Sequence, residues 1–323
     1  MNLVLSNILY QQHGTDEGNQ LQGGLALAGW LLCGYGYHEG CVDVRQILDK
    51  HKPSVVLVQA REDFDASSPG TFDKRVSFKN IDALASHPEI FKIQVVKDCP
   101  GRHDRREAWC NEIKADALLT YYHHDSVVPL SPWMEKYPLI RHRHTIDKHA
   151  VNDLPFSRNR KRCIVSGAMN REVYPLRTLA MNNAKSLGVE VLTHIGYGCI
   201  GNRNTDYLLK LCQYKVSIAC SSRFGFSLRK LTEAAAAGCM VVTDLPKYDS
   251  LPWLDDALIR LPQGANLQHL QGAIDEAERT WTPEKAESFR ALAMEHYDWQ
   301  TNGTELSETI IKVASQCSNP TPS

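Results

Sequence analysis

Across the second half of the chain, short β-branched runs alternate with helical stretches, and this alternation limits the fold more than any other feature. Cys163–Gly167 (CIVSG), Val189–Ile195 (VEVLTHI), Lys215–Ala219 (KVSIA), Met240–Thr243 (MVVT) and Ala257–Leu261 (ALIRL) read as strands. Between them lie helix-compatible segments at Tyr174–Leu187, Asp206–Cys212 and Leu228–Ala237. Short continuous apolar runs suit strands covered on both faces. Strand and helix in strict alternation build a doubly wound parallel sheet, so the chain is expected to be α/β.

The first half follows a looser version of the pattern. Asn2–Leu9, Ser54–Gln59, Phe91–Val96 and Ala117–Tyr121 read as strands, and Val42–Lys50, Phe78–Ser86 and Glu107–Ala115 as helices. Gln12–Gly24 reads as a polar loop feeding a helix at Leu25–Leu32. Its Gly23-Gly24 pair lacks the G-x-G-x-x-G fingerprint, so no dinucleotide site is expected. A length of 323 residues allows two domains. The basic stretch Pro138–Pro155 and the run Ser157–Arg162 (SRNRKR), taken as an exposed linker, place the boundary near 155. The expected organisation is therefore 1–155, 156–300, and a last helix with its tail at 301–323.

Charge and cysteine usage narrow the setting. The net charge of −1 gives no global field for nucleic acid or anionic membranes. No apolar run reaches the ~18 residues of a membrane span. Ten cysteines are scattered without C-x-x-C pairs, and the chain opens without a signal peptide. Reduced thiols and a cytoplasmic location are expected.

Two clusters carry candidate chemistry. The first is Ser221–Pro246 (SSRFGFSLRKLTEAAAAGCMVVTDLP). Ser227 suits an N-cap and Gly238 a helix stop. A helix N-terminus carries about half a positive charge, so cations in its first turn are unfavourable. Arg229 and Lys230 sit there nonetheless, with Arg223 just before. A bound phosphate or diphosphate accounts for such a cluster; a solvated charged helix is the plainer account. Glu233 is placed to pair with Arg229 or to accept from ligand hydroxyls. The second cluster follows the strand Phe91–Val96, where open α/β sheets place ligands. There Asp98 and His103 are candidates for a general base, or members of a charged solvent loop with Arg102, Arg105 and Arg106. His123-His124-Asp125 is not read as a metal site, because adjacent histidines diverge and no third ligand has suitable spacing.

The Gly225-Phe226 loop, the helix bearing Glu233, Ala237-Gly238 and the strand Val241-Val242-Thr243 together resemble the donor-site signature of GT-B glycosyltransferases. The likeness is to the glycosyl transferases group 1, family-four-like enzymes and their spore-maturation-type relatives. His144-Thr145-Ile146-Asp147 is similar to the turn that closes their first domain, and the segment after Tyr297 to their last helix, which crosses back. The resemblance implies two Rossmann-like doubly wound domains facing a central cleft, the first on the acceptor side and the second holding the donor. It implies Glu233 on the nucleotide ribose and Arg223, Arg229 or Lys230 on the diphosphate. The loop after the first strand of the second domain would face the same diphosphate, with Gly167 allowing close approach. Arg171 and Arg177 are candidates there for phosphate contact, Arg177 equally for a surface helix charge.

The implied activity is transfer of a sugar from a nucleotide-diphosphate sugar to an acceptor hydroxyl. Positive side chains would stand in for a metal, configuration would be retained, and no cofactor beyond the donor substrate is expected. An inverting enzyme would need Asp98, His103 or His123 as base. One position departs from the family: Gly225 stands where many members carry a second Glu, eight residues before Glu233, so the Glu-x7-Glu pair is incomplete. The acceptor is a hydroxymethylated DNA base, reached through the basic 141–162 region, or a polysaccharide or lipid, without stable membrane insertion. A nucleotide-sugar epimerase of the same fold and a non-catalytic nucleotide-sugar-binding module are the alternatives.

Overall fold

The computed structural model describes residues 1–6, 16–34, 37, 41–59, 78–97, 103–193 and 203–318. The chain divides into two compact units, Met1–His142 with Gln300–Ser323, and Arg143–Trp299.

The first unit is built on six parallel strands: β1 (Asn2–Leu5), β2 (Leu31–Cys33), β3 (Val55–Val58), β4 (Phe91–Val95), β5 (Ala117–Thr120) and β6 (Leu139–Arg141). Their order is β2-β1-β3-β4-β5-β6. Successive side chains leave opposite faces of a strand, and both faces are covered. Val4, Leu57 and Ile93 pack with Leu21, Leu25, Leu306 and Ile310 on one side. Leu3, Leu5, Val56 and Val58 pack with Val44, Ile47 and Leu84 on the other.

The amino-terminal region departs from the sequence expectation. Asp16–Leu27 is a helix, and Leu31–Cys33 pairs in parallel with β1 as a strand. Gly24, one of the glycines that suggested a loop, serves helix packing instead. A Cβ placed on Gly303 of the carboxyl-terminal helix Trp299–Ser318 would lie 2.2 Å from the Gly24 Cα, so the two backbones meet without side chains between them. Trp30 Nε1 donates to Ser307 Oγ at 2.8 Å beside this crossing. Phe78–Ser86 forms only a short 3-10 turn, Ile81–Ser86.

The second unit is a five-stranded parallel sheet: β7 (Lys161–Gly167), β8 (Val189–Thr193), β9 (Tyr214–Ile218), β10 (Met240–Thr243) and β11 (Leu258–Arg260). Its order is β11-β10-β9-β7-β8. Ile164, Val216 and Val241 share one core with Leu231, Ala235, Leu270 and Phe289 from the flanking helices. The stretch taken as an exposed linker lies inside this unit, and only its first half is an exposed loop, Ser157–Asn159. Arg160 is buried and Lys161 and Arg162 open β7. Arg162 Nε binds Glu278 Oε2 at 2.8 Å. Residues 143–155 also belong to this unit, where Arg290 Nη2 donates to the Val151 and Leu154 carbonyls at 2.8 and 2.9 Å. Within the basic stretch, Arg160 spends its donors on buried carbonyls and Arg162 on carboxylates, while Arg158 stays exposed. Among the described residues, no helix is long and apolar enough to cross a membrane.

Candidate functional site

In both sheets the first strand lies between the second and third. Chain direction across the sheet reverses at that place, and a crevice opens beyond the carboxyl ends of the two strands. In the second unit the reversal lies between β7 and β9. There β7 delivers Ser166 and Gly167, β9 leads into Ala219–Ser222, and neighbouring β10 leads into Asp244.

Gly167 has φ +114°, and a Cβ there would lie 2.9 Å from Arg177 Nη1. Left-handed backbone and close packing both require glycine. Arg177, on the helix Pro175–Asn182, is only 3% exposed, so it is not a surface charge. Its Nη1 donates to the Ala168 carbonyl at 3.2 Å, and its guanidinium stacks on Tyr174, 4.0 Å from the ring centroid.

The helix Arg229–Ala236 comes next. Its N-cap is Leu228, which has no side-chain acceptor, rather than Ser227. Ser227 is buried, and its carbonyl accepts from His144 Nε2 at 2.9 Å. Arg229 Nε and Glu233 Oε1 pair at 2.9 Å, one turn apart. Lys230 Nζ lies 4.1 Å from the Tyr207 ring centroid, and Tyr207 OH meets Ser166 Oγ at 2.8 Å. Burial opposes the Lys230 charge, but Tyr207 and Glu233 outweigh it and its pKa is raised. Burial likewise pushes the Tyr207 hydroxyl up. The far end of the helix stops at Gly238, φ +80°, as its place after the alanine run suggested.

Behind this first turn, Asp244 Oδ1 accepts from Ser221 N at 2.7 Å and from Ser221 Oγ at 3.1 Å. Burial raises the Asp244 pKa against those hydrogen bonds. The Cys220 thiol is pushed up to about 11 by burial, although Arg177 acts the other way.

The residues singled out in the sequence therefore fall into three groups. Gly167, Arg229, Lys230 and Glu233 occur at or beside the switch point. Arg171 and Arg223 are exposed on the two adjoining loops, which are tied together where Arg223 N donates to Val173 O at 2.8 Å. Asp98 lies outside the described residues; His103 opens the helix His103–Ile113, and its side chain lies outside them too. His123 caps its own short helix, its Nδ1 accepting from Asp125 N at 3.2 Å. Among the described residues, no group of three or more His, Cys, Asp or Glu is arranged to hold a metal ion. The sequence reading missed Ser166, Tyr207, Ser221 and Asp244. Applying the strand-end rule to β7 and β10 would have found Ser166 and Asp244.

No family model matches the chain, and no curated protein matches it in sequence. Solved structures match its fold. Sucrose-phosphate synthase from Thermosynechococcus elongatus aligns with a TM-score of 0.58 at 10% identity, over 98% of this chain and 99% of that one. HepE from Anabaena in complex with UDP aligns at 0.54 and 9% identity, over 97% and 100%. A glycosyltransferase from Rickettsia africae aligns at 0.54 and 10%, over 99% of each chain. The fold is GT-B, two Rossmann-like units each carrying a parallel sheet.

Proposed function

We propose that this chain is a glycosyltransferase that takes a sugar from a nucleoside-diphosphate sugar and transfers it to an acceptor hydroxyl. One observation carries the reading. Arg177 and Lys230 converge on the β7–β9 switch point, and among the described residues neither has a carboxylate within ion-pair distance. Glu233 favours the Lys230 charge from beyond pairing distance, but a buried cation with no directly paired anion as counter-charge remains costly. A diphosphate placed against the uncapped first turn of Arg229–Ala236 would supply that counter-charge. HepE, of the same fold, has been solved with UDP and with UDP-glucose, which supports a nucleotide donor here.

Each residue then has a task. Arg177, Arg229 and Lys230 offset the negative charge that grows on the leaving diphosphate, with exposed Arg171 and Arg223 at its outer side. Gly167 lets the backbone approach the phosphates. Glu233 accepts from the ribose hydroxyls while its Oε1 holds Arg229. These fixed positive groups do the electrostatic work that a bound metal does elsewhere. We read the transfer as retaining, which requires no protein base. An inverting reaction would draw on Asp98 or His103 of the first, acceptor-side unit. For the acceptor, a polysaccharide or lipid hydroxyl ranks above a DNA base. The basic run of the second unit is broken up, with Arg160 buried and Arg162 paired to Glu278.

The test is a thermal-shift screen against UDP-, GDP-, ADP- and TDP-sugars, followed by a donor-turnover assay. A ligand at 100 times its Kd adds ~2.7 kcal/mol to the folded state. A selective shift that Lys230→Ala abolishes, together with release of the nucleoside diphosphate, is the expected result. If no nucleotide shifts the melt, the donor-site reading fails.

A further inference from the structure

The opposite ends of the same strands hold a second group of cations that the proposed reaction does not use. Arg158, Arg160, Lys161, Lys215 and Trp281 line an open cavity of about 600 Å³, with no acidic residue in its wall. It sits at the amino-terminal ends of β7 and β9. The length of β7, about 20 Å, separates it from Gly167.

Arg160 is the inner wall. It is 7% exposed, and burial pushes its pKa down. Its Nε donates to the Ser157 carbonyl at 3.2 Å, and its Nη1 to the carbonyls of Tyr214, Ala237 and Gly238 at 3.3, 2.9 and 3.1 Å. Those bonds fix the guanidinium and cap the far end of Arg229–Ala236. Its Nη2 is buried and has no hydrogen-bond partner among the described residues. It lies against Gly238, where a Cβ would come within 3.1 Å of it, so Arg160 gives the wall its charge rather than a free donor.

The rest of the wall is short of negative charge. Arg158 is exposed and makes no ion pair among the described residues, although Glu284 feels its charge. Lys161 shares Glu190 with Lys210, at 3.0 and 2.7 Å. Lys215 shares Glu278 with Arg162, at 3.6 and 2.8 Å. Each rim carboxylate thus serves two cations. Trp281 holds Arg160 and Lys215 in place, with ring-centroid distances of 5.5 and 5.9 Å and its Nε1 bonded to Gly238 O at 3.0 Å.

We infer that this cavity is an anion site for an oligophosphate. The Arg158 guanidinium fork and two ammonium groups around one cavity, backed by the fixed charge of Arg160, match several phosphate oxygens rather than a single carboxylate.

The probe is inorganic triphosphate, titrated calorimetrically into the full chain. Arg158→Ala and Lys215→Gln are made singly and together, in the wild-type and Lys230→Ala backgrounds. The second background removes binding at the proposed donor site. Arg158 is exposed and unpaired, so its substitution leaves the fold intact, which a melting curve checks. The expected result is binding that survives Lys230→Ala, weakens about tenfold in the double variant, and falls as salt is raised. ATP is the second ligand: tighter binding than triphosphate identifies a nucleotide, and equal binding identifies the oligophosphate alone. No heat with either ligand, or binding unchanged by the Arg158 and Lys215 substitutions, overturns the inference.

Discussion

Arg229 and Glu233 close an ion pair along one face of their helix, Nε to Oε1 at 2.9 Å, with side chains only 13% and 7% exposed. The pair fixes Glu233 where the proposed donor ribose would lie, and keeps a guanidinium in the first turn despite the helix dipole. Removing one partner of such a pair strands the other charge. Glu233→Ala is expected to cost ~3 kcal/mol in urea denaturation and to abolish the nucleotide-sugar shift. Glu233→Gln keeps an acceptor for ribose hydroxyls and is expected to lose less stability, with donor affinity reduced about tenfold. Unchanged donor affinity in both variants would remove Glu233 from the site.

At Gly225, where many of the glycosyltransferases this stretch resembles carry a second acid, the backbone itself calls for glycine. Its φ is +71°, and a Cβ there would lie 2.9 Å from Pro246 Cγ and 3.1 Å from Tyr248 OH. The left-handed conformation alone costs an L-residue about 1–2 kcal/mol, and the proline ring gives way little. Gly225→Ala is expected to lose about 2 kcal/mol. Gly225→Glu, which restores the Glu-x7-Glu spacing, should be less stable still and should gain no transfer rate. A faster Gly225→Glu enzyme would show that the loop can reshape to seat an acid.

What the sequence revealed and what it concealed follow from the same physics. The strand Met240–Thr243 was legible to the residue, because a short apolar run after a glycine stop has few other readings. Arg229 and Lys230 stood out because cations at a helix start break a local rule, and both do lie in the first turn of Arg229–Ala236. The helix Asp16–Leu27 was concealed, because its Gly24 answers to Gly303, nearly 280 positions away, which no local pattern reports. Arg177 and Arg160 look like surface charges in a string of letters. Their burial depends on which carbonyls the fold brings to them. Tyr207 entered the site only because its helix returns its ring to Lys230.

Acid sensitivity is expected to centre in part on Glu190. Its pKa is held down to about 2, first by the Lys210 hydrogen bond, then by those of Tyr214 and Lys161. A carboxylate whose folded pKa lies below its unfolded value favours the folded state above the unfolded pKa. That contribution is lost as pH falls from about 4.5 toward 2. Glu190→Gln should therefore flatten the stability profile across that window. The same contribution is what the substitution removes at neutral pH, and it is modest, because the Lys161–Glu190 pair is more than a third exposed on both sides and water screens it. Urea midpoints at a series of pH values decide. A variant profile as steep as the wild type would assign the acid sensitivity to other groups.

The Gly24–Gly303 crossing gives a prediction whose sign is diagnostic. Gly303 lies inside the helix Trp299–Ser318, where glycine is worse than alanine by about 1 kcal/mol on backbone grounds. Gly303→Ala at an ordinary helix position would stabilise. Here the new methyl would fall 2.2 Å from the Gly24 Cα and 2.7 Å from its carbonyl oxygen. Backbone cannot swing aside as a flexible side chain does, so the two helices must separate. Overpacking of this kind costs about 1–3 kcal/mol, which outweighs the propensity gain. The loss should be local to the first unit, since Gly24 and the residues from Gln300 onward both belong to it. Hydrogen exchange should quicken at 16–27 and 300–318, and stay unchanged in the strands of the second unit. A more stable Gly303→Ala protein would mean that the two helices do not approach at these glycines.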